Sequence, residues 1–336
     1  MTLNSFSDMG QLFMTRRDSN ALKTDLARLT SELASGKKED IGAALRGDFS
    51  TLADISRSLR LNATFRTSVT EASIAAAGRQ ASLERIQNEV EGFAAPLLAL
   101  SGAGTEADLQ IRLADAGGRF ETAVDALNTR LAGRSLFAAD QPDNSALIDG
   151  QAILDELRPL VAGSADAATM IATVSAWFND AGGGYESLAW QGGAGAAPAV
   201  LIGEGQTADP SVTALDPTLR ETLTNLALTA LVSEQAGGLS DSERGNVIVS
   251  AAEGLITAEG NLIALRAQVG AQEQRIEEAL VAAETAKTMY EIEYNRIVQA
   301  DPYDTATELE AASTRLESLY IVTSRLSRLS LTEFIR

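Results

Sequence analysis

The sequence predicts a mainly α protein: an elongated antiparallel helical bundle with paired terminal coiled-coil helices and a small central α+β insert. Three observations lead there. Apolar residues recur at helical spacing over long runs at both ends of the chain. Aromatics are only 5% of the 336 residues, while Ala and Leu dominate, which suits helices packed along their length. Between about 138 and 215 the composition changes, with ten glycines, four of the seven prolines and both tryptophans.

Residues 5–34 read as the first helix. Leu22, Leu26, Leu29 and Leu33 fall at steps of four, three and four, close to the two-per-seven seam of a coiled coil. Ser35-Gly36 stops this helix, and Lys37 and Lys38 follow near its negative end. Residues 37–50 read as a short structured loop. From Thr51 to about Leu100 a second helical pattern runs through Leu52, Ile55, Leu59, Val69, Ala72, Ala76, Leu83, Ile86, Val90 and Phe93. Pro96 is expected to kink or end it. At ~1.5 Å per residue such a helix is a rod roughly 65 Å long. Thr105-x-x-Asp108 opens a further helix to about Thr129, and Gly133 marks a close turn into an extended stretch.

Within the middle, short helices are expected at 149–162 and 166–178. Loops and short strands then follow from Gly182 to Gly205, with Ala199–Ile202 the clearest strand. Trp177 and Trp190 read as core residues there. Helical periodicity resumes after Asp216-Pro217, which caps a helix to about Val232. Asp241 or Ser242 is expected to cap a very long helix to about Gln299, with a stripe of Val247, Ala251, Ile256, Leu262, Leu265, Val269, Ile276 and Leu280. Asp301 with Pro302 then starts the last helix, where Thr305-x-x-Glu308 matches a capping box. That helix carries Leu309, Leu316, Leu319, Leu326 and Leu329, with Ala312 and Val322 filling the stripe.

A narrow stripe cannot bury itself, so each terminal helix needs a partner. The simplest partners are each other, or copies in neighbouring subunits. Leu22, Leu26, Leu29, Leu33, Leu309, Leu316, Leu319, Leu326 and Leu329 are therefore the candidate assembly residues. The expected domains are 1–36 with 300–336 (terminal coiled coil), 37–137 with 216–299 (helical rod) and 138–215 (insert).

Charge supports this layout. The net charge is −19, yet residues 1–40 hold six basic and six acidic side chains, and 286–336 hold six and eight. Near-neutral ends can crowd against copies of themselves, while an acidic middle suits a hydrated surface or simply favours solubility. Nucleic-acid binding is disfavoured, because phosphate neutralisation needs clustered Lys and Arg. There is no cysteine and no histidine, which removes disulfides, thiolate and imidazole metal sites and imidazole bases. No run of about 18 apolar residues suggests membrane insertion, and Met1 to Gly10 lacks the pattern of a cleaved signal peptide.

Catalytic constellations are also weak. Glu277/Glu278 and Glu291/Glu293 do not share a helix face, and Asp301/Asp304 is explained by capping. Gly182-Gly-Gly184 and Gly203-Glu-Gly205 do not fit a phosphate loop. Serine nucleophiles have no histidine to activate them. The residues point to no enzyme, no cofactor and no metal.

Several segments resemble the flagellin superfamily, and within it the hook–filament junction proteins. Leu26-Ala-Arg-Leu-Thr-Ser-Glu-Leu-Ala-Ser-Gly-Lys37 is similar to that family's first helix and its Ser-Gly-Lys end. Gly133-Arg-Ser-Leu-Phe-Ala138 resembles a Gly-Arg-x-Leu-Phe-Ala element of the junction proteins. Val269-Gly-Ala271, Ala300-Asp-Pro-Tyr-Asp304 and Leu316-Glu-Ser-Leu-Tyr320 through Leu329-Ser-Leu331 resemble its C-terminal helices. Glu39-Asp-Ile-Gly-Ala43 departs from the family's pattern, and the insert matches no motif. The resemblance implies export through the flagellar type III apparatus, with a chaperone on the C-terminal helix. It further implies self-assembly beyond the hook, between the first hook-associated protein and flagellin, so that the chain ends as part of the extracellular flagellum. A short filament-forming flagellin and a cytosolic coiled-coil binding protein are the alternatives.

Overall fold

The computed structural model describes residues 3–103, 105–209, 212–234 and 238–334; the side chains of 3–9, 11–12, 102–103, 106 and 326–334 lie outside the described set. The protein is mainly α, with eleven α-helices, one π-helical turn (Tyr185–Ala189) and two small antiparallel hairpins among the described residues. It forms two compact units, Met1–Leu61 with Ala286–Arg336, and Asn62–Thr285. The seams fall inside two long helices and not at the loops near 36 and 300. A continuous helix has no break to mark such a seam in its sequence.

The first unit is built from α1 (Leu3–Ser35), a short α2 (Ile41–Ala44), the start of α3 (Ser50–Val90), the end of α10 (Asp241–Val298) and α11 (Pro302–Phe334). Gly36 ends α1 in the left-handed conformation, φ +68°, and its N–H donates to the Glu32 carbonyl at 2.8 Å. Asp40 caps α2 by accepting from the Ala43 N–H at 2.8 Å. Asp301 caps α11, accepting from the N–H of Tyr303 at 2.8 Å and of Asp304 at 3.2 Å. Pro302 at the first position supplies no N–H, where none is needed. Because α11 starts there, Thr305 lies inside the helix and is buried, so the expected Thr305/Glu308 capping box does not form.

The second unit holds the main core. Leu83, Phe93, Phe120, Phe137, Leu154, Phe178, Leu223 and Leu255 belong to one continuous apolar cluster. α9 (Pro217–Ser233) runs through its centre and packs on α6 (Ala116–Leu127) and α8 (Ala167–Asn179). Its buried threonines satisfy themselves within the helix: the Thr222 and Thr229 hydroxyls each donate to a carbonyl at 2.7 Å. α7 (Gly150–Val161) completes the layer. Residues of the 138–215 segment, including Ala138, Ile153, Met170 and Phe178, share this cluster with helices on either side of them. The insert therefore has no separate main core.

Local breaks differ from the pattern in informative ways. α3 ends at Val90 and restarts as α4 (Ala94–Ala103), with the break at Gly92, φ +70°. Pro96 sits in the first turn of α4, where a missing N–H costs nothing. The helix expected from Thr105 is two helices, α5 (Glu106–Leu113) and α6, and Thr105 with Asp108 forms the anticipated capping box. Ser240, not Asp241 or Ser242, caps α10 by accepting from the Glu243 N–H at 3.3 Å. On α10, Leu255 is buried and Ile256 is 40% exposed, so the stripe passes one residue earlier than expected.

β1 (Arg130–Leu131) and β2 (Arg134–Ser135) form a hairpin whose two loop residues, Ala132 and Gly133, both have positive φ. That is the turn whose twist suits a tight hairpin. β3 (Val200–Gly203) pairs with β4 (Gln206–Ala208). This second hairpin inserts Ile202 into a small cluster of Val69, Ala72 and Ala76 from α3 and Ile276 and Ala279 from α10. α3 and α10 run antiparallel there. Arg66 Nε donates to Glu284 at 2.6 Å, and Gln80 Nε2 donates to the Arg266 carbonyl at 3.1 Å.

Candidate assembly surfaces

Within the first unit, α1 packs along α11. Their loop ends are stitched together by backbone. Lys37 bridges Gln299 in antiparallel fashion, the Ala300 N–H donates to Gly36 at 3.0 Å, and the Lys38 N–H donates to Val298 at 2.8 Å. Glu32 is buried and accepts from the Glu39 N–H at 3.0 Å, while Arg28 pairs with it at 3.2 Å. That buried carboxylate ties the loop back onto α1. Lys23 Nζ lies 5.8 Å from the centre of the Tyr320 ring, a cation–π contact between the two helices.

The leucine stripes are only partly used by this pairing. Leu29 is buried, and Leu22, Leu26, Leu309, Leu316 and Leu319 are half-buried. Leu33 is 40% exposed; the neighbouring Glu32 takes the buried position because it holds Arg28 and the loop. On α11, Ala312 is buried, but Val322 is 52% exposed and does not fill the stripe. The three-four alternation of Leu309, Ala312, Leu316 and Leu319 continues at Thr323, which is half-buried, and not at Val322. Leu326 and Leu329 have side chains outside the described residues. Further apolar side chains stand exposed off the stripe: Phe13 and Met14 on α1, Met289 and Ile292 on α10, and Tyr303, Tyr320 and Ile321 on α11. A search restricted to leucine at coiled-coil spacing passes over them. Their signal in the sequence is large apolar residues on a face that a two-helix pair leaves wet.

The other sequence candidates have structural roles. Asp301 is a helix cap, as expected. Gly184 lies so close to the Trp177 ring that any side chain would collide with it, and Gly182 and Gly205 have positive φ in turns. Trp177 is buried edge-on against Phe178 at 4.8 Å, and Trp190 is half-buried against the same core. Burial pushes the Tyr185 phenol above its ordinary range, and its hydroxyl donates to Ala214 at 2.7 Å. Glu186 is held below the usual carboxylate range by the Gly182 N–H and by Arg220. Among the described residues no group of acidic side chains could hold a metal ion.

Residues 253–335, most of α10 together with α11, match the model of the bacterial flagellin C-terminal helical region. The C-terminal quarter of the chain is thus similar to that region of flagellin. Among solved structures, this chain is similar in fold to a protein described as a flagellar hook-associated protein from Vibrio parahaemolyticus. The identity is 13% and the TM-score 0.52, covering 75% of this chain and 99% of that one. A looser likeness is to Bacillus cereus FlgL, with 14% identity, a TM-score of 0.42, and coverage of 71% of this chain and 94% of the other. Among curated proteins, none matches the sequence significantly.

Proposed function

We propose that this chain is a non-enzymatic structural subunit of the bacterial flagellum, a hook–filament junction adaptor that assembles beyond the hook and templates filament growth. The observation that carries this reading is the flagellin-type C-terminal region, residues 253–335, lying on helices whose apolar faces a single copy leaves half wet. Likeness in fold to the Vibrio protein, described as hook-associated, favours the junction over the filament. In this reading residues 1–36 and 300–336 line an inner tube, 37–137 and 216–299 form a rod, and 138–215 faces outward. The stripe leucines, with the exposed residues beside them, contact neighbouring copies. The flanking partners are a hook-associated protein below and flagellin above. The chain leaves the cell through the flagellar export apparatus, with a chaperone holding the C-terminal helix until then.

Two experiments test this. Deleting the gene should leave hooks intact while flagellin leaks into the medium; filaments that still form would refute the junction role. Leu316→Asp combined with Leu319→Asp should abolish assembly and leave the second unit folded; normal filaments from that variant would refute the terminal-helix role. A second reading, a short filament flagellin, has one observation in its favour: the matched region is described as that of flagellin itself. It predicts that purified subunits polymerise into long filaments.

A further inference from the structure

The second unit carries an unpartnered seam on the back of each of its two long helices. On α3, Ala63, Thr67, Thr70, Ile74, Ala77 and Ala81 recur at alternating steps of four and three, and all are exposed. They lie opposite Val69, Ala72, Ala76 and Leu83, which face the core. On α10, Ile263, Ala267, Gly270, Gln274, Glu277 and Val281 recur at the mirrored steps. They lie opposite Leu262, Leu265, Val269 and Ile276, which are buried. Ile263, Val281 and Ile74 are 52%, 61% and 50% exposed, unusual for large aliphatic side chains that no contact uses.

We propose that these two backs are the halves of one interface, with the α10 seam of one copy packing antiparallel on the α3 seam of the next. In a single register Ile74 sits over Gly270, Ile263 over Ala81 and Val281 over Ala63. Each large side chain thus meets a small one, the knob-into-hole condition for close packing. The same register sets Arg85 opposite Glu259. Neither is in an ion pair among the described residues. Sliding by one heptad sets Arg85 against Arg266 or Ala252, and in one direction puts Ile74 on Glu277. Charge also selects the occupant. Glu253, Glu259, Glu277 and Glu278 rim the α10 seam, so two α10 seams would repel, whereas the α3 seam is mixed: Arg85 stands beside Glu71 and Glu84, and Glu84 is already paired with Arg266.

Geometry then sets the kind of assembly. Because α3 and α10 are antiparallel within one copy, an antiparallel contact between copies makes the copies parallel. The register differs by about two to six residues, ~3–9 Å, from the pairing inside the chain, where Gln80 meets Arg266 and Arg66 meets Glu284, so neighbours are offset by less than two turns. The two halves are different surfaces, so the contact is head-to-tail and propagates from copy to copy into a ring or a shallow helix. This rests on the reading that copies assemble side by side, but not on the role of the terminal helices.

The chain has no native cysteine, so introduced thiols report cleanly. Cells producing Ala81→Cys with Ile263→Cys in one chain are treated with copper–phenanthroline, which oxidises adjacent thiols to a disulfide. The two sites lie on opposite backs, so only neighbours can join them. A covalent ladder on a non-reducing gel is expected, and Ala81→Cys with Gln274→Cys, out of register on the same seam, should give none. Arg85→Glu should remove the ladder, and adding Glu259→Arg should restore it, which separates a lost contact from a lost fold. No ladder, or equal ladders from both cysteine pairs, overturns the interface. Assembly without a ladder leaves the terminal-helix reading standing, while a ladder that persists in the Leu316→Asp, Leu319→Asp variant supports this interface independently of it.

Discussion

The two units bury their apolar residues to different depths. In the second, Phe93, Phe120, Phe137, Phe178 and Tyr185 are fully enclosed along with a large set of leucines and alanines. In the first, Leu29, Val298, Ala300 and Ala312 are the buried apolar residues among those described, while Phe13, Ile321 and Tyr303 stand in solvent. A domain stabilised mainly by burial cannot leave so much of its apolar surface wet and remain robust. The difference teaches that the second unit closes a core within one copy and the first does not.

The largest expected stability change tests the completeness of the second unit. Phe120→Ala should cost about 3–5 kcal/mol, read as a lower denaturant midpoint of the isolated chain. If it costs under ~1 kcal/mol, the core is not the source of stability. Leu316→Ala should cost only ~1 kcal/mol in the free chain, because that side chain is already partly exposed, yet it should impair assembly strongly. Equal losses for both substitutions would erase the contrast between the units. Asp301→Ala should cost ~1 kcal/mol and fray the first turn of α11, seen as faster amide exchange at Tyr303 and Asp304.

A smaller effect follows from acid. Hydrogen bonds from the Thr169 backbone and hydroxyl hold the Asp166 carboxyl below its ordinary value in the second unit. The Ser50 hydroxyl and backbone do the same for Asp48 in the first. A depressed folded-state value means stability that is present above the unfolded pKa of about 3.9 and is lost as pH falls through the folded one. Asp166→Asn should therefore shrink the drop in denaturant midpoint between pH 6 and pH 3, both pH values being approximate choices spanning that range. An unchanged drop would mean the cap is not formed in solution.

Much of this was legible in the sequence because helix signals are local. Thr105 with Asp108, Asp216 with Pro217 and Asp301 with Pro302 all cap helices where their residue types demand it. What escaped depends on partners far along the chain. Gly92 breaks α3 before Pro96 because its positive φ turns the chain onto the core. Leu255 displaces Ile256 because the core beside α9 and α6 fixes the rotation of α10. The 138–215 segment looked separate by composition, but its glycines mark close contacts with Trp177 and Asp140, and its apolar residues join the common core. For the assembly residues, helical spacing found the inward leucines. It could not rank Leu29 above Leu33, because that choice turns on the Arg28–Glu32 pair and the loop it anchors.

Hydrogen exchange on the free and the assembled chain tests the central claim most directly. The account predicts that amides of Leu3–Ser35 and Pro302–Phe334 exchange rapidly in the free chain and become protected on assembly, while those of α6, α8 and α9 are protected in both states. Terminal helices as protected in the free chain as α9, or unchanged by assembly, would contradict it.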